Sequence, residues 1–294
     1  MPELPEVETV CRGLNAVTPH RAIVGGDVLL DSTIAHPVSV ADFLTGLQGC
    51  AIDRWQRRGK YLLAKLIRVF KNPQKFVSGG YLGVHLRMTG QLLWCHSSDK
   101  LQKHTRVRLF FADDRELRFV DQRTFGKMWW VPPDLEPPEA ISGLRKLGPE
   151  PFSEEFSVEY FAGQLQKRQK SIKTALLDQA IVAGAGNIYA DEALFLSKIP
   201  PTQICSHLTP DEIDRLRTAL IRVLQDSIDA GGTTFSNFLN VEGINGNYGG
   251  VAWVYNRTGQ PCRVCQTPIV RVKLGGRSSH FCPQCQHRSM THYP

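Results

Sequence analysis

Acidic residues are missing from the end of this chain: from Tyr255 to Pro294 there are six Arg or Lys and no Asp or Glu. That imbalance, within a net charge of +7, excludes an acidic tail. It fits a polyanion partner, whose counterions would be released on binding, and it also fits a merely solvated basic face; charge alone leaves both open. Long apolar runs are missing too. Nothing approaches the ~20 residues a membrane helix needs, so no membrane association is expected. The opening Met1-Pro-Glu-Leu-Pro-Glu6 lacks the basic and apolar regions of a signal peptide. No internal repeat is evident.

Four of the eight cysteines stand where they can do chemistry. Cys262/Cys265 and Cys282/Cys285 form two CxxC pairs, while Cys11, Cys50, Cys95 and Cys205 are scattered and read as small buried apolar residues. Two knuckles supply four thiolates, which fill a tetrahedral zinc sphere and leave no open position for catalysis, so one structural zinc ion is expected. The competing reading, a pair of disulfides, belongs to secreted chains and has no other support here. A reducing cytoplasm is the expected home. Between the pairs, Ile269–Leu274 and Arg277–Phe281 read as strands joined by Gly275-Gly276, a hairpin with Arg277 just past its tip.

A chain of 294 residues that is 42% hydrophobic can hold two or more cores. Val7, Val10, Cys11, Leu14 and Val17 recur at helical spacing behind Pro5, which predicts a leading helix. From about Ile23 to Val131 the pattern is strand-like, as in 61–67, 81–86, 107–111 and 117–120, which predicts an all-β sandwich. Pro132-Pro133 and Pro137-Pro138 mark a stiff connection. Helices are then predicted over 158–165, 172–178, 187–197 and 210–229, the last capped by Thr209 and stopped at Ala230-Gly231-Gly232. Residues 233–250 are rich in Asn and Gly and predict a mobile loop. The expected class is therefore α+β multidomain: a sandwich domain over 1–135, a linker over 136–150, a helical domain over 151–254 and a zinc finger over 255–294.

Taken singly, the candidate chemical residues are ambiguous. Pro2 would be a secondary amine and a nucleophile if Met1 were removed, with Glu3 beside it; both also suit an ordinary helix prelude. Lys60, after Arg57-Arg58-Gly59, suggests a phosphate contact or a solvated edge charge. Gly184-Ala-Gly-Asn187 before a helical run would present backbone N–H groups to phosphate, and equally reads as a turn capped by Asn. Met88 and Phe125 read as core.

The set as a whole resembles the formamidopyrimidine-DNA glycosylases, bifunctional base-excision repair enzymes. The resemblance is carried in order by Pro2-Glu-Leu-Pro-Glu-Val-Glu-Thr9, Arg57-Arg-Gly-Lys-Tyr-Leu62, His85-Leu-Arg-Met-Thr-Gly90, Asp121-Gln-Arg-Thr-Phe-Gly126, Gly184-Ala-Gly-Asn-Ile-Tyr-Ala190 and the terminal two-knuckle finger. It implies a β-sandwich with a leading helix, a helix-two-turn-helix domain and a β-hairpin zinc finger. It also implies excision of oxidised purines (8-oxoguanine, formamidopyrimidines) and β,δ-elimination at the abasic site. Pro2 is then the amine that attacks C1′, Glu3 the acid that assists ring opening, Lys60 a proton donor for β-elimination and Arg277 a phosphate ligand assisting δ-elimination. Met88, Arg123 and Phe125 match void-filling residues, His104, Arg168 and Asn187 match DNA contacts, and Lys173 matches a lysine near the lesion. The implied partner is double-stranded DNA with oxidised bases or abasic sites, and the implied setting a bacterial cytoplasm, nucleoid-associated through DNA, as a monomer. Gly243–Gly250 departs from the family pattern in the loop that covers the extruded base, so lesion preference is less determined than reaction type. Leu4 and the Met88, Arg123, Phe125 set favour the purine enzymes over the related endonuclease VIII group.

Overall fold

The computed structural model describes residues 1–69, 77–233, 241, 243, 250 and 252–287. The loop expected over 233–250 therefore lies almost wholly outside the described residues. The elements run α1 (Leu4–Val17), β1 (Ile23–Val28), β2 (Ile34–His36), α2 (Val40–Leu47), β3 (Cys50–Arg58), β4 (Tyr61–Arg68), β5 (Val77–His85), β6 (Gly90–His96), β7 (Thr105–Phe111), β8 (Arg115–Asp121) and β9 (Lys127–Val131). They continue as α3 (Pro137–Ala140), α4 (Val158–Leu165), α5 (Ile172–Leu176), α6 (Asn187–Leu196), α7 (Pro210–Asp229), β10 (Val270–Leu274) and β11 (Arg277–Phe281).

Two compact units result, one built on 1–146 and one on 147–229 together with the described residues from 250 to 287. In the first, a four-stranded sheet β1-β7-β8-β6 and a five-stranded sheet β2-β9-β5-β4-β3 share one core with α1 and α2. Val7, Val10, Cys11 and Leu14 of α1 are buried in it, which is what their helical spacing requires. Strand alternation does the same for β7, where Thr105, Val107, Leu109 and Phe111 point inward.

Three features differ from the sequence reading. A second helix, α2, interrupts the strand-rich region, started by Ser39, whose hydroxyl accepts the Asp42 N–H at 3.2 Å. Part of the presumed linker folds onto the sandwich: α3 is helical and Ile141 is buried, because an apolar residue there has a surface to cover. Residues 230–233, 241 and 243 group with the sandwich unit rather than with the helices that precede them, Val241 lying in the sandwich core.

In the second unit α7 starts with a reciprocal cap, Glu212 N–H to Thr209 Oγ1 at 3.2 Å and Thr209 N–H to Glu212 Oε2 at 2.8 Å. It ends at Gly231 and Gly232, both with positive φ. Helix α5 stops at Leu176, two residues earlier than its periodicity suggests, since Asp178 accepts the Ala180 N–H at 3.1 Å and commits the chain to a turn. The hairpin β10–β11 pairs Leu274 with Arg277 across Gly275-Gly276, whose φ values of +53° and +78° suit a tight two-residue turn.

Candidate active site and nucleic-acid interface

Pro2 and Glu3 are buried at the head of α1, Glu3 being its N-cap. Glu6 fixes this end: Oε2 accepts the Glu3 N–H at 2.7 Å, and Oε1 accepts the Thr233 N–H at 3.0 Å and its hydroxyl at 3.2 Å. With Met1 attached the Pro2 nitrogen is a tertiary amide with no nucleophilic lone pair, so its reactivity as an amine requires removal of Met1. The flank of α1 is pinned to β3 by Glu8, which accepts from Arg57 Nε at 2.9 Å and from Arg12 Nε at 2.9 Å. Burial pushes the Glu8 carboxyl up, but the two guanidinium groups outweigh it and hold its pKa below the usual value.

Lys60 sits in the turn from β3 to β4, after Gly59 with φ +56°. It is 7% exposed, which rules out the solvated edge charge. Beside this turn lies His85, to which the sequence assigns no role. It faces Tyr61 across the β4–β5 register, ring edge to ring face at 4.5 Å. Burial, then the Arg87 and Lys60 charges, lower its pKa to about 3. Its Nδ1 accepts the Arg87 N–H at 3.0 Å, so the neutral ring carries its proton on Nε2 and is a hydrogen-bond donor there.

Asp121 gathers the remaining residues of this unit. At 1% exposure, it takes the Thr89 hydroxyl on Oδ1, the Arg123 N–H on Oδ1 at 3.2 Å and the Gly126 N–H on Oδ2 at 2.7 Å. Its own N–H donates to His104 O at 2.9 Å. The turn carrying Met88 and the loop carrying Arg123 and Phe125 are thereby locked together next to His104. Gly126 permits the approach, because a Cβ there would stand 2.4 Å from Phe119 Cζ. Phe125 is 50% exposed, with the Arg123 guanidinium 5.0 Å from its ring centre, and Met88 is half-buried. Neither is a core residue. An Asp at the end of a strand-like run, followed by a short loop ending in Gly126, is the signal the sequence offers for Asp121.

In the second unit Arg277 is exposed at the start of β11. Arg168 turns back on its own helix end, donating to Gln164 O at 2.7 Å. The cap of α6 is Gly186, not Asn187, which is the first helical residue and donates from Nδ2 to Ser278 O at 3.0 Å. Gly186 takes the cap because Asn187 already has helical geometry and spends its amide on the hairpin. Lys173, which matches a lysine near the lesion, is not a surface cation. It is fully buried, its Nζ donating to Asn187 O at 2.8 Å and Asp191 Oδ1 at 2.5 Å.

The four finger cysteines bring their Sγ atoms within 4.8 Å of one another. The separations of 3.8 Å (Cys262 to Cys285), 3.4 Å (Cys265 to Cys282) and 3.4 Å (Cys265 to Cys285) are near the ~3.8 Å edge of a tetrahedron with Zn–S bonds of about 2.3 Å. They are far beyond the ~2.05 Å of a disulfide. The donor set fits one structural zinc ion, and four thiolates leave it no open position.

Comparison with known proteins agrees with this geometry. The model of the formamidopyrimidine-DNA glycosylase N-terminal domain matches residues 1–128, that of the H2TH domain of the same enzymes residues 147–238, and that of the zinc finger found in FPG and IleRS residues 259–288. A formamidopyrimidine-DNA glycosylase from a Nostoc strain is 64% identical over 286 residues, covering 97% of this chain and 100% of the relative. The structure is similar to that of a Lactococcus lactis FPG mutant in complex with Fapy-dG containing DNA, with a TM-score of 0.86, 33% identity and 98% and 100% of the two chains covered. It is likewise similar to MutM in complex with carbocyclic 8-oxo-G containing DNA, with a TM-score of 0.85, 34% identity and the same coverage.

Proposed function

Because this chain belongs to the formamidopyrimidine-DNA glycosylase family, we propose that it removes oxidised purines, such as 8-oxoguanine and formamidopyrimidines, from double-stranded DNA and then cuts the strand by β,δ-elimination. The observation that carries this reading to the residue level is the platform organised by Asp121. Met88, Arg123 and Phe125 stand on two turns locked to one carboxylate, half-exposed or exposed, where packing alone would have buried the apolar pair. An enzyme that extrudes a nucleotide must fill the gap it leaves. Met88 supplies an apolar wedge, Phe125 an aromatic face against the next base step, and Arg123 donors for the orphaned pyrimidine. The DNA held by the similar structures, with Fapy-dG or carbocyclic 8-oxo-G, supports the purine substrate.

The chemistry follows from the groups at the head of α1. Once Met1 is gone, the Pro2 secondary amine attacks C1′, the glycosidic bond breaks, and the base leaves. Opening of the sugar ring, assisted by a proton from Glu3 to the ring oxygen, gives an iminium ion between Pro2 and the open-chain C1′. That cation acidifies C2′, loss of a C2′ proton expels the 3′ phosphate, and a second elimination expels the 5′ phosphate, leaving phosphate on both sides of the gap. Lys60 supplies a proton in the first elimination, and the Nε2–H of His85 offers a further hydrogen bond to a backbone phosphate. Arg277 binds the phosphate lost in the second. Asn187 contributes a backbone-phosphate contact from the start of α6, and His104 and Arg168 further DNA contacts. Zinc, held by Cys262, Cys265, Cys282 and Cys285, supplies structure to the hairpin that carries Arg277. Acting on DNA, the enzyme would work at the nucleoid of a bacterial cell.

Borohydride trapping tests the proposal. End-labelled duplex with 8-oxoguanine opposite cytosine should give a covalent adduct with the wild type and none with Pro2→Gly or with enzyme that retains Met1, while DNA affinity changes little. Equal trapping by the Met1-retaining enzyme would sink the role of Pro2. Trapping only with an oxidised-pyrimidine duplex would move the substrate to the endonuclease VIII class.

A further inference from the structure

We propose that Lys173 is a positioning residue that sets the register of β11, and so of Arg277, through Asp191 and Asn187, without touching DNA; this rests on the glycosylase and lyase reading above. The argument starts from burial. Lys173 is 0% exposed, on a five-residue helix whose backbone is tied down by the Ile172 N–H to Gln203 O at 2.7 Å and the Lys173 N–H to Pro201 O at 3.3 Å. A buried ammonium persists only where acceptors surround it, and two of its acceptors come from α6. Asn187 and Asp191 are one turn apart, at i and i+4, and share a helix face.

Each of these two residues has a second bond, and both second bonds go to the same strand. Asp191 divides its carboxylate: Oδ1 takes Lys173, while Oδ2 takes the His280 N–H at 3.0 Å and lies 3.1 Å from His280 Nδ1. Asn187 gives its carbonyl to Lys173 and its side-chain amide to Ser278 O at 3.0 Å. Ser278 and His280 are alternate residues of β11, so the strand is clamped at two backbone points on one edge by the Asn187 amide and the Asp191 carboxylate, and one ammonium holds the Asp191 side chain together with the main-chain carbonyl of Asn187. The hairpin tip faces α5, the helix of Lys173, a Cβ on Gly275 standing 3.4 Å from Thr174 Oγ1. Arg277 directly precedes the first clamp point and is exposed. Without the ammonium, Asp191 would keep a buried negative charge beside His280, and water would enter where the clamp now closes.

The test uses full-length, zinc-loaded protein in four forms: wild type, Lys173→Met, Asp191→Asn and the double variant. The substrate is a duplex with a preformed abasic site, which bypasses base excision. Readouts are the ratio of β,δ to β product, borohydride trapping, zinc content and hydrogen exchange across 277–281. Each single variant should lose at least about ten-fold in the β,δ to β ratio and speed amide exchange in β11, with trapping within about two-fold of wild type. The double variant buries no charge and should recover to within about three-fold. A purely structural role would lower thermal stability and leave the product ratio unchanged, which overturns the proposal. A direct DNA contact would leave the double variant as defective as Lys173→Met and reduce the salt slope of binding by about 1, which also overturns it. Should the single variants fail to fold, the double variant decides: a wild-type ratio together with β11 amides that exchange as slowly as in the wild type supports the clamp, whereas a β-only ratio, or a wild-type ratio with fast exchange in β11, rejects it. Absence of any adduct with the wild type would instead reject the glycosylase and lyase reading, while the exchange data would still report on the clamp.

Discussion

His85 is the residue whose surroundings most restrict what it can do. Buried among the positive charges of Arg87 and Lys60, it keeps a pKa of about 3 in the folded chain against an ordinary 6.5. The unfolded chain takes up a proton below pH 6.5 and the folded one does not, so the contribution is full above that pH and is lost progressively as pH falls toward 3. Between pH 6.5 and 5 the loss amounts to about 2 kcal/mol at about 1.4 kcal/mol per unit. Urea unfolding at pH 7.5 and pH 5.0 should show this difference in the wild type and a clearly smaller one in His85→Asn. Equal pH dependence in the two would mean that other groups carry the acid lability. The same residue illustrates how far the chain could be read directly. Pro2, Glu3 and Lys60 stood out by resemblance and position, but nothing local to His85 distinguishes a neutral buried donor from a packed imidazole. Its state is set by burial, to which Tyr61 contributes across the strand register, and by the Arg87 and Lys60 charges.

At the scale of elements, the zinc hairpin was the most legible part, because ligand spacing, strand pattern and a Gly-Gly turn all pointed to one geometry. Its stability is tied to zinc: Cys262 and Cys282 share a small core with Phe195, Val254 and Ile269, so metal binding and folding of this element are one event. Gly276 has φ +78°, and a Cβ there would meet nothing within 4 Å, so any penalty is backbone strain alone. Gly276→Ala should cost about 1 kcal/mol and weaken zinc retention roughly five-fold in competition with a chelator, whereas Gly276→Asn, tolerant of left-handed φ, should stay within about two-fold. A loss as large for Asn as for Ala would show that the position is not governed by φ. Helix α2 was less legible, since eight residues between strands carry too few turns for periodicity to stand out, and only the Ser39 cap marks it. The cap of α6 was misplaced by one residue because Gly186 and Asn187 both suit a helix start. What separates them is the bond from Asn187 to Ser278, which lies far off in sequence.

For the whole molecule, the basic excess is the property that bears on DNA before any lesion is found. Of the six Arg or Lys beyond Tyr255, Arg271, Lys273 and Arg277 are exposed on the hairpin, whereas Arg257 spends its guanidinium on Trp253 O at 2.5 Å and Pro261 O at 2.9 Å. Composition counts these cations alike; the fold separates those that hold the finger together from those that face outward. A cation that neutralises a phosphate releases a counterion, so its removal lowers the slope of log K against log salt by about 1 and weakens every sequence equally. Arg277→Ala should do this for undamaged and abasic duplexes alike, measured by fluorescence anisotropy from 50 to 300 mM salt, roughly the range over which such slopes are resolved. Arg257→Ala should leave the slope within error while loosening the finger. If Arg277→Ala left the slope unchanged, the basic segment would be a solvated face after all, and the phosphate lost in the second elimination would need another ligand. If it changed the slope only with abasic DNA, Arg277 would read the cut site and contribute nothing to the search for it.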